Sequence, residues 1–419
     1  MKILLYGINF TPELTGIGKY TGEMAAWLAA AGHEVRVVTA PPYYPDWKVW
    51  PKYHASRYTH EVWEGVNVWR APLWVPAKPS GLTRLLHLAS FAVSSVPLML
   101  RQVFWRPDLV WVVEPPLFCA PTAICIARLT GARAWLHIQD FEVDAAFELG
   151  LLRGKLARRL VTGLERWIMR RFDRVSTISN NMLALGLAKG VATDKLVLFP
   201  NWVDLESIQP LTAPSTYRAQ LGLPDDAVIA LYAGNMGGKQ GLEIMAEAAY
   251  LLSQNTATVD SPTAQTRCNL HFVFCGNGAG KAELVRLAHG LPNVHFMDLQ
   301  PLERLNDLLG LADIHLLPQR ADAADLVMPS KLTGMLASGR AVIATTNADT
   351  ELGRALISCG IITPPGDASA LAAAIIELAS QPERRRAMGV SGRQYADTHL
   401  GIDQILQSFD STVHSLQYR

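Results

Sequence analysis

Short runs rich in Val, Ile and Leu recur along the chain, separated by segments of helical spacing, and the whole series occurs twice. The first half contains KILLYGI, HEVRVVTA, DLVWVVEP, ARAWLHIQD, RVSTIS and KLVLFPN; the second contains AVIALYAGN, NLHFVFCG, NVHFMDL, DIHLLPQ, RAVIATT and GIITPPG. Strands apolar on both faces must be covered on both faces, which helices above and below a parallel sheet achieve. Strand–helix alternation therefore predicts right-handed βαβ crossovers and an α/β doubly wound sheet in each half. Two such sheets imply a cleft between domains, and ligands in these sheets bind beyond the carboxyl ends of the strands.

A chain of 419 residues is too long for one ordinary core. The strand pattern breaks at FPNWVDLESIQPL, giving domains at 1–200 and 205–399 and a last helix, 400–419, expected to return to the first. The overall charge of +1 conceals a split: residues 1–200 carry a net +8, and residues 201–419 a net −7. All 11 tryptophans fall by Trp202, so the two halves present different surfaces. Five cysteines without a CxxC pair fit a reducing cytoplasm. MKILLYGINF is cut short as an apolar run by Gly7 and Asn9, and reads as a first strand rather than a signal peptide. The uncharged run from Leu85 to Leu100 falls short of a spanning helix, though it suits a membrane surface.

Glycine-rich loops follow several strands. After the first come Gly16 and Gly18, whose spacing and distance from the strand do not match a dinucleotide fingerprint. In the second half GNMGGKQG places Asn235, Gly237, Gly238, Lys239 and Gln240 at a strand-to-helix junction, and CGNGAGK places Gly276, Asn277 and Gly278 at another. In DLVMPSKLTG a helix opening at Pro329 has no side-chain cap, so the amides of Ser330, Lys331 and Leu332 point outward beside an ammonium. Three such loops in one half suit a nucleotide diphosphate.

In the first half, His137 and Asp140 end the strand ARAWLHIQD. Asp140 suits proton acceptance or orientation of a sugar; His137 is either a partner in that chemistry or a satisfied core histidine. Glu142 and Asp144 follow closely, and sequence does not rank the cluster. Arg153 to Arg174 reads as a basic amphipathic helix suited to anionic lipid. No nucleic-acid-binding motif is present.

GHEVRVVTAPPYYP, FPNWVD, GNMGGKQGLE, CGNGAGKAEL, LADIHLLP and PSKLTGMLASGRAVIA together resemble glycosyltransferase family 4, nearly end to end. HIQDFEVDAA and PSKLTGMLASGR resemble most its exopolysaccharide branch of colanic-acid transferases, described as fucosyltransferases. The resemblance implies a GT-B fold, two Rossmann-like doubly wound parallel-sheet domains facing an interdomain cleft. It further implies retaining transfer from a nucleotide-diphosphate sugar, with GDP-fucose one possible donor, to a lipid-linked saccharide acceptor. Neither a cofactor nor a metal is expected, and the enzyme would sit as a peripheral protein on the cytoplasmic face of the cell membrane. Two departures stand out: the glutamates of many relatives fall at Leu326 and Gly334, and their usual Arg and Lys at Asn235 and Gln240. Asp325, Lys239, Lys331 and Arg320 are the substitutes expected from charge. The departures leave open a non-catalytic relative that binds nucleotide sugar or membrane, and the two-sheet plan also suits a sugar-nucleotide epimerase.

Overall fold

A computed structural model describes residues 1–14, 16–148, 154–237, 240–257, 269–320 and 329–417. The chain divides into two compact units, Met1–Pro200 with Leu406–Arg419, and Asn201–Ile405. The segment after Pro200 belongs to the second unit because Val203 pairs with the chain at Gly401: its amide donates to Leu400 and its carbonyl accepts from Ile402.

The first unit runs β1 (Lys2–Tyr6), α1 (Ile17–Ala30), β2 (Glu34–Thr39), β3 (Thr59–Trp63), β4 (Val66–Arg70), α2 (Gly81–Ser94), α3 (Val96–Trp105), β5 (Leu109–Glu114), α4 (Ala120–Thr130), β6 (Arg133–Ile138), α5 (Glu142–Glu148), α6 (Lys155–Met169), β7 (Arg174–Thr177), α7 (Asn180–Ala188) and β8 (Leu196–Leu198). Its sheet order is β3-β4-β2-β1-β5-β6-β7-β8. All neighbours are parallel except β3 and β4, a hairpin that the apolar-run pattern does not reveal. Glu64 and Gly65 turn it with φ of 45° and 78°, the two positive values that a tight hairpin of matching twist requires.

α2 and α3 form one bent helical stretch, Gly81–Trp105, which by length and composition is apolar enough to cross a membrane. It exceeds the expected uncharged run because Arg84 and Arg101 continue the helix on exposed positions. One stripe packs inward: Phe91 meets Tyr6 at 5.8 Å between ring centres, and Ser95 hydrogen-bonds the Tyr6 hydroxyl at 2.6 Å.

The second unit runs α8 (Thr216–Gln220), β9 (Val228–Ala233), α9 (Glu243–Ala257), β10 (Leu270–Cys275), α10 (Lys281–Leu287), β11 (Val294–Met297), α11 (Leu305–Leu311), β12 (Ile314–Leu317), α12 (Lys331–Ala337), β13 (Ala341–Thr345), α13 (Glu351–Leu356), β14 (Gly360–Thr363), α14 (Ala368–Ser380) and α15 (Pro382–His399). Its order is β11-β10-β9-β12-β13-β14, wholly parallel. Tyr232, Phe272, Phe274, Ile314 and Ile343 are buried with the apolar faces of α9 and α14. A last helix, α16 (Ile402–Gln417), carries Phe409 onto Trp135 and Phe199 in the first unit, at 4.9 and 5.2 Å between rings.

Candidate functional site

In the second sheet the strand order reverses between β9 and β12, so the crevice beyond their carboxyl ends is the natural place for a ligand. The loop after β9 is zipped to the loop after β10. Gly234 N donates to Cys275 O, Met236 N to Asn277 O, and Gly280 N to Met236 O. Gly276 has φ 152°, and a Cβ there would lie 1.9 Å from the Gly234 carbonyl; a Cβ on Gly278 would lie 2.5 Å from that of Met236. Gly276 and Gly278, expected as phosphate-binding residues, permit two loops to touch. Asn277 receives Lys281 Nζ at 3.0 Å, and Lys281 also pairs with Asp298 at 2.6 Å.

Lys331 lies on the other side of the crevice. Its ammonium donates to the Tyr232 hydroxyl at 2.5 Å and the Asn235 carbonyl at 3.3 Å, and sits 4.2 Å from the Tyr232 ring centre. Tyr232 in turn donates to the Asn235 carbonyl at 2.6 Å. A Cβ on Gly234 would strike Lys331 Cε at 2.5 Å, so that glycine opens the channel in which the side chain lies. Among the described residues the hydrogen-bond partners of the Lys331 ammonium are these two neutral oxygens, and desolvation lowers its pKa from 10.5 to about 7. Among the described residues this half-buried cation is held by neutral oxygens, an arrangement poised for an anion.

The start of α12 departs from expectation. The helix begins at Lys331, with Pro329 two positions earlier, and the Leu332 amide donates to the Pro329 carbonyl at 3.0 Å. Ser330 is the cap residue with no side-chain cap bond, and its carbonyl accepts from Thr333 Oγ1 at 3.0 Å. With seven residues, α12 has little dipole to offer, and the charge at this turn is that of Lys331. Gly334 packs α12 closely on α11: a Cβ there would be 3.1 Å from Leu309 Cδ1.

Arg320, just past β12, is exposed and lines a cavity of about 400 Å³ with Gly241, Glu243, Glu247, Gln319 and Thr345. Gly237 stays open enough for the Gln240 side chain to fold back over it, 2.9 Å from where a Cβ would be. Gly238, Lys239, Asp325 and Leu326 lie outside the described residues.

In the first unit the order reverses between β1 and β5. Gly16 caps α1 at φ 62° with open space around its missing Cβ, whereas Gly18 gives room to Glu13, 2.8 Å from an added Cβ. Glu13 is buried; it accepts from the amides of Tyr43 and Tyr44 at 2.9 and 3.0 Å and from Asn9 at 2.8 Å, tying the two loops together.

His137 is a correction. It lies inside the core rather than at an open strand tip, with Nδ1 bonded to Ser176 Oγ at 2.9 Å and Nε2 to Gln139 at 2.9 Å. The ring stacks on Trp111 at 5.2 Å, and burial lowers its pKa to about 3, so it is a neutral scaffold for β6. Asp140 remains at the tip, half-buried. Behind it Glu114 ends β5 fully buried, pushed well above the carboxylate range by burial and by Glu142 and Glu165. Glu165 and Asp144 share Lys189, at 2.5 and 2.6 Å. Tyr232, Glu13 and Glu114 carry no motif; the signal available for the two glutamates was their place at the carboxyl ends of strands at the reversal point.

Residues 15–202 match the model of the Glycosyl transferase 4-like domain, and residues 227–381 that of Glycosyl transferases group 1. The chain is 46% identical over 420 residues, 98% of each chain, to WcaI of Escherichia coli strain K12, named as a glycosyl transferase of colanic acid biosynthesis. Among solved structures it is similar to sucrose-phosphate synthase from Thermosynechococcus elongatus (19% identity, 99% of both chains, TM-score 0.74). It is also similar to Anabaena Alr3699/HepE, solved with UDP-glucose (14% identity, 99% of this chain and 100% of that one, TM-score 0.69). With two parallel α/β sheets, domain matches over both units and a relative this similar along its whole length, the chain belongs to the glycosyltransferases of the 4-like and group 1 family and has their GT-B fold.

Proposed function

We propose that this glycosyltransferase moves a sugar from a nucleotide-diphosphate donor, bound by the second unit, to a lipid-linked saccharide bound by the first, with retention of configuration and without a metal. Similarity to WcaI supports an exopolysaccharide of the colanic-acid kind as product, and the fucosyltransferase-like motifs make GDP-fucose the first donor to test. The observation that carries this reading is the half-buried Lys331 ammonium, held by neutral oxygens beside the Gly234 loop. As the glycosidic C–O bond breaks, the departing diphosphate gains negative charge, and a preorganised cation stabilises it. Asp140 is the residue proposed to receive the acceptor hydroxyl proton.

Peripheral attachment to the inner face of the cell membrane is part of the proposal. α6 carries Leu156, Leu160, Leu164 and Trp167 on one exposed stripe, with Arg158, Arg159 and Arg166 beside it, and Arg171 lies 3.6 Å over the Trp167 ring. Apolar residues flanked by arginine suit an anionic lipid surface.

Purified protein incubated with radiolabelled GDP-fucose, GDP-mannose or UDP-glucose and a polyprenyl-diphosphate glycan tests the reading. Label transferred to the lipid is expected, and Asp140→Asn should abolish transfer while leaving donor binding. Conversion of donor without acceptor would mean an epimerase; binding with neither outcome, a non-catalytic relative.

A further inference from the structure

The bend between β6 and α5, which carries Asp140, is anchored on both sides by one residue of the neighbouring strand. Glu114 ends β5, and its backbone carbonyl accepts from the Gln139 amide at 2.9 Å. Its side-chain Oε1 accepts from the Glu142 amide at 3.3 Å. A helix leaves its first amides without partners of its own, so Glu114 satisfies the start of α5 from outside the helix. The reverse stitch comes from Glu142, whose Oε2 accepts from the Leu117 amide at 2.8 Å. Pro115 and Pro116 have no N–H, so Leu117 brings the first amide of the loop after β5, and that amide is tied to α5.

Neighbours stiffen the bend further. Gln139 Nε2 meets His137 Nε2 at 2.9 Å, and Phe141 is buried with Lys189 Nζ 5.2 Å from its ring centre. Lys189 also pairs with Asp144 at 2.6 Å, two residues beyond Glu142. Between the buried Gln139 and Phe141, Asp140 is the residue left partly open to solvent.

Glu114 itself is 0% exposed, and its Oε2 has no hydrogen-bond partner among the described residues. A carboxyl so placed is costly to bury, the more so beside Glu142 and Glu165, and an apolar side chain of similar volume would serve the core at least as well. What the carboxyl adds is an acceptor where the Glu142 amide emerges. With no exposed atom, Glu114 cannot meet a sugar, so any part it has in transfer runs through the segment it holds.

We propose that Glu114 is the positioning residue of Asp140: with Glu142 it locks the β6–α5 bend so that the Asp140 carboxylate is held ready for the acceptor hydroxyl. The inference rests on Asp140 as the proton acceptor proposed above. Small misplacements of a reacting group cost large factors in rate, so a loosened bend lowers turnover without lowering the affinity for either substrate.

The test measures kcat and KM in the full chain with radiolabelled GDP-fucose, GDP-mannose or UDP-glucose and a polyprenyl-diphosphate glycan, beside the melting temperature with and without donor. Glu114→Met matches the native side chain in length and removes both oxygens; kcat should fall about tenfold to a hundredfold while KM for donor and acceptor stays within about twofold. Glu114→Gln returns one acceptor oxygen and should recover kcat to within about threefold of wild type. Glu142→Ala, at a less buried position, cuts the stitch to Leu117 and should reproduce the kcat loss, which keeps the test open should Glu114→Met not fold. The thermal shift given by the donor should be the same in all of these proteins. Wild-type kcat in Glu114→Met and Glu142→Ala, a kcat loss that Gln does not recover, or a loss that comes with a vanished donor shift would overturn the positioning role. Full turnover by Asp140→Asn would instead strike Asp140 as the proton acceptor, whatever the Glu114 variants do.

Discussion

Lys331 Nζ and the Tyr232 hydroxyl lie 2.5 Å apart, joining the start of α12 to the end of β9 across the point where the sheet order reverses. Tyr232 is buried, and burial pushes its own pKa up, so it is a fixed neutral acceptor for the lysine. Removing that oxygen with Tyr232→Phe should leave Lys331 less well held and weaken nucleotide-sugar binding by about threefold to tenfold, the net worth of one ordinary hydrogen bond. Calorimetric titration measures this, and equal affinities would show that the tyrosine does not position the lysine.

Glu114 offers a test by pH. Its carboxyl is raised in the folded protein, so the stability it contributes is fully present below the unfolded value of 4.5 and is lost as pH rises through the folded value. Glu114→Gln keeps an acceptor for the Glu142 amide, 3.3 Å away, and cannot ionise. Its melting temperature should exceed that of wild type at alkaline pH, with the gap closing toward pH 4.5. A constant gap across that range would mean that Glu114 titrates normally.

Gly276 and Gly16 both have positive φ but different surroundings. Gly276→Ala drives a methyl into the Gly234 carbonyl and should destabilise by about 2 kcal/mol or more. Gly16→Ala meets open space and should cost only about 1 kcal/mol from backbone strain. Denaturant melts of the two variants check the order.

The α6 stripe is exposed, so changing it should not alter folding. Leu160→Glu with Leu164→Glu should reduce binding to vesicles containing phosphatidylglycerol by roughly tenfold or more, with an unchanged melting temperature. Vesicle flotation reads the first quantity and a thermal melt the second; undiminished flotation would remove α6 from the membrane contact.

The apolar runs gave away every strand of the second sheet and most of the first, because strands buried on both faces must be written in continuous hydrophobic residues. β3 and β4 escaped because an edge hairpin alternates, as in THEVWEGVNVWR, and its clue was the Glu-Gly turn. Lys331 was legible as a lysine beside a strand-to-helix turn, but its setting was not, since that depends on Tyr232 and Gly234, nearly a hundred residues away. Gly276 and Gly278 look like phosphate-loop glycines in sequence; their part in loop packing is legible only from the facing carbonyls of Gly234 and Met236. His137 was ambiguous for the same reason, its partners Ser176 and Trp111 lying on neighbouring strands.

The most direct measurement is the pH dependence of donor affinity in wild type and Lys331→Met, using the nucleotide sugar that most raises the melting temperature. A sugar-capped diphosphate has no proton to lose near neutrality, so the profile reports the protein. With Lys331 near 7 in the free enzyme and its ammonium favoured by the bound diphosphate, wild-type affinity should be level below about pH 7 and then fall by up to tenfold per pH unit. Lys331→Met should bind about tenfold to a hundredfold more weakly at pH 7 and show no such fall. Equal affinities and parallel profiles for the two proteins would contradict a Lys331 grip on the diphosphate.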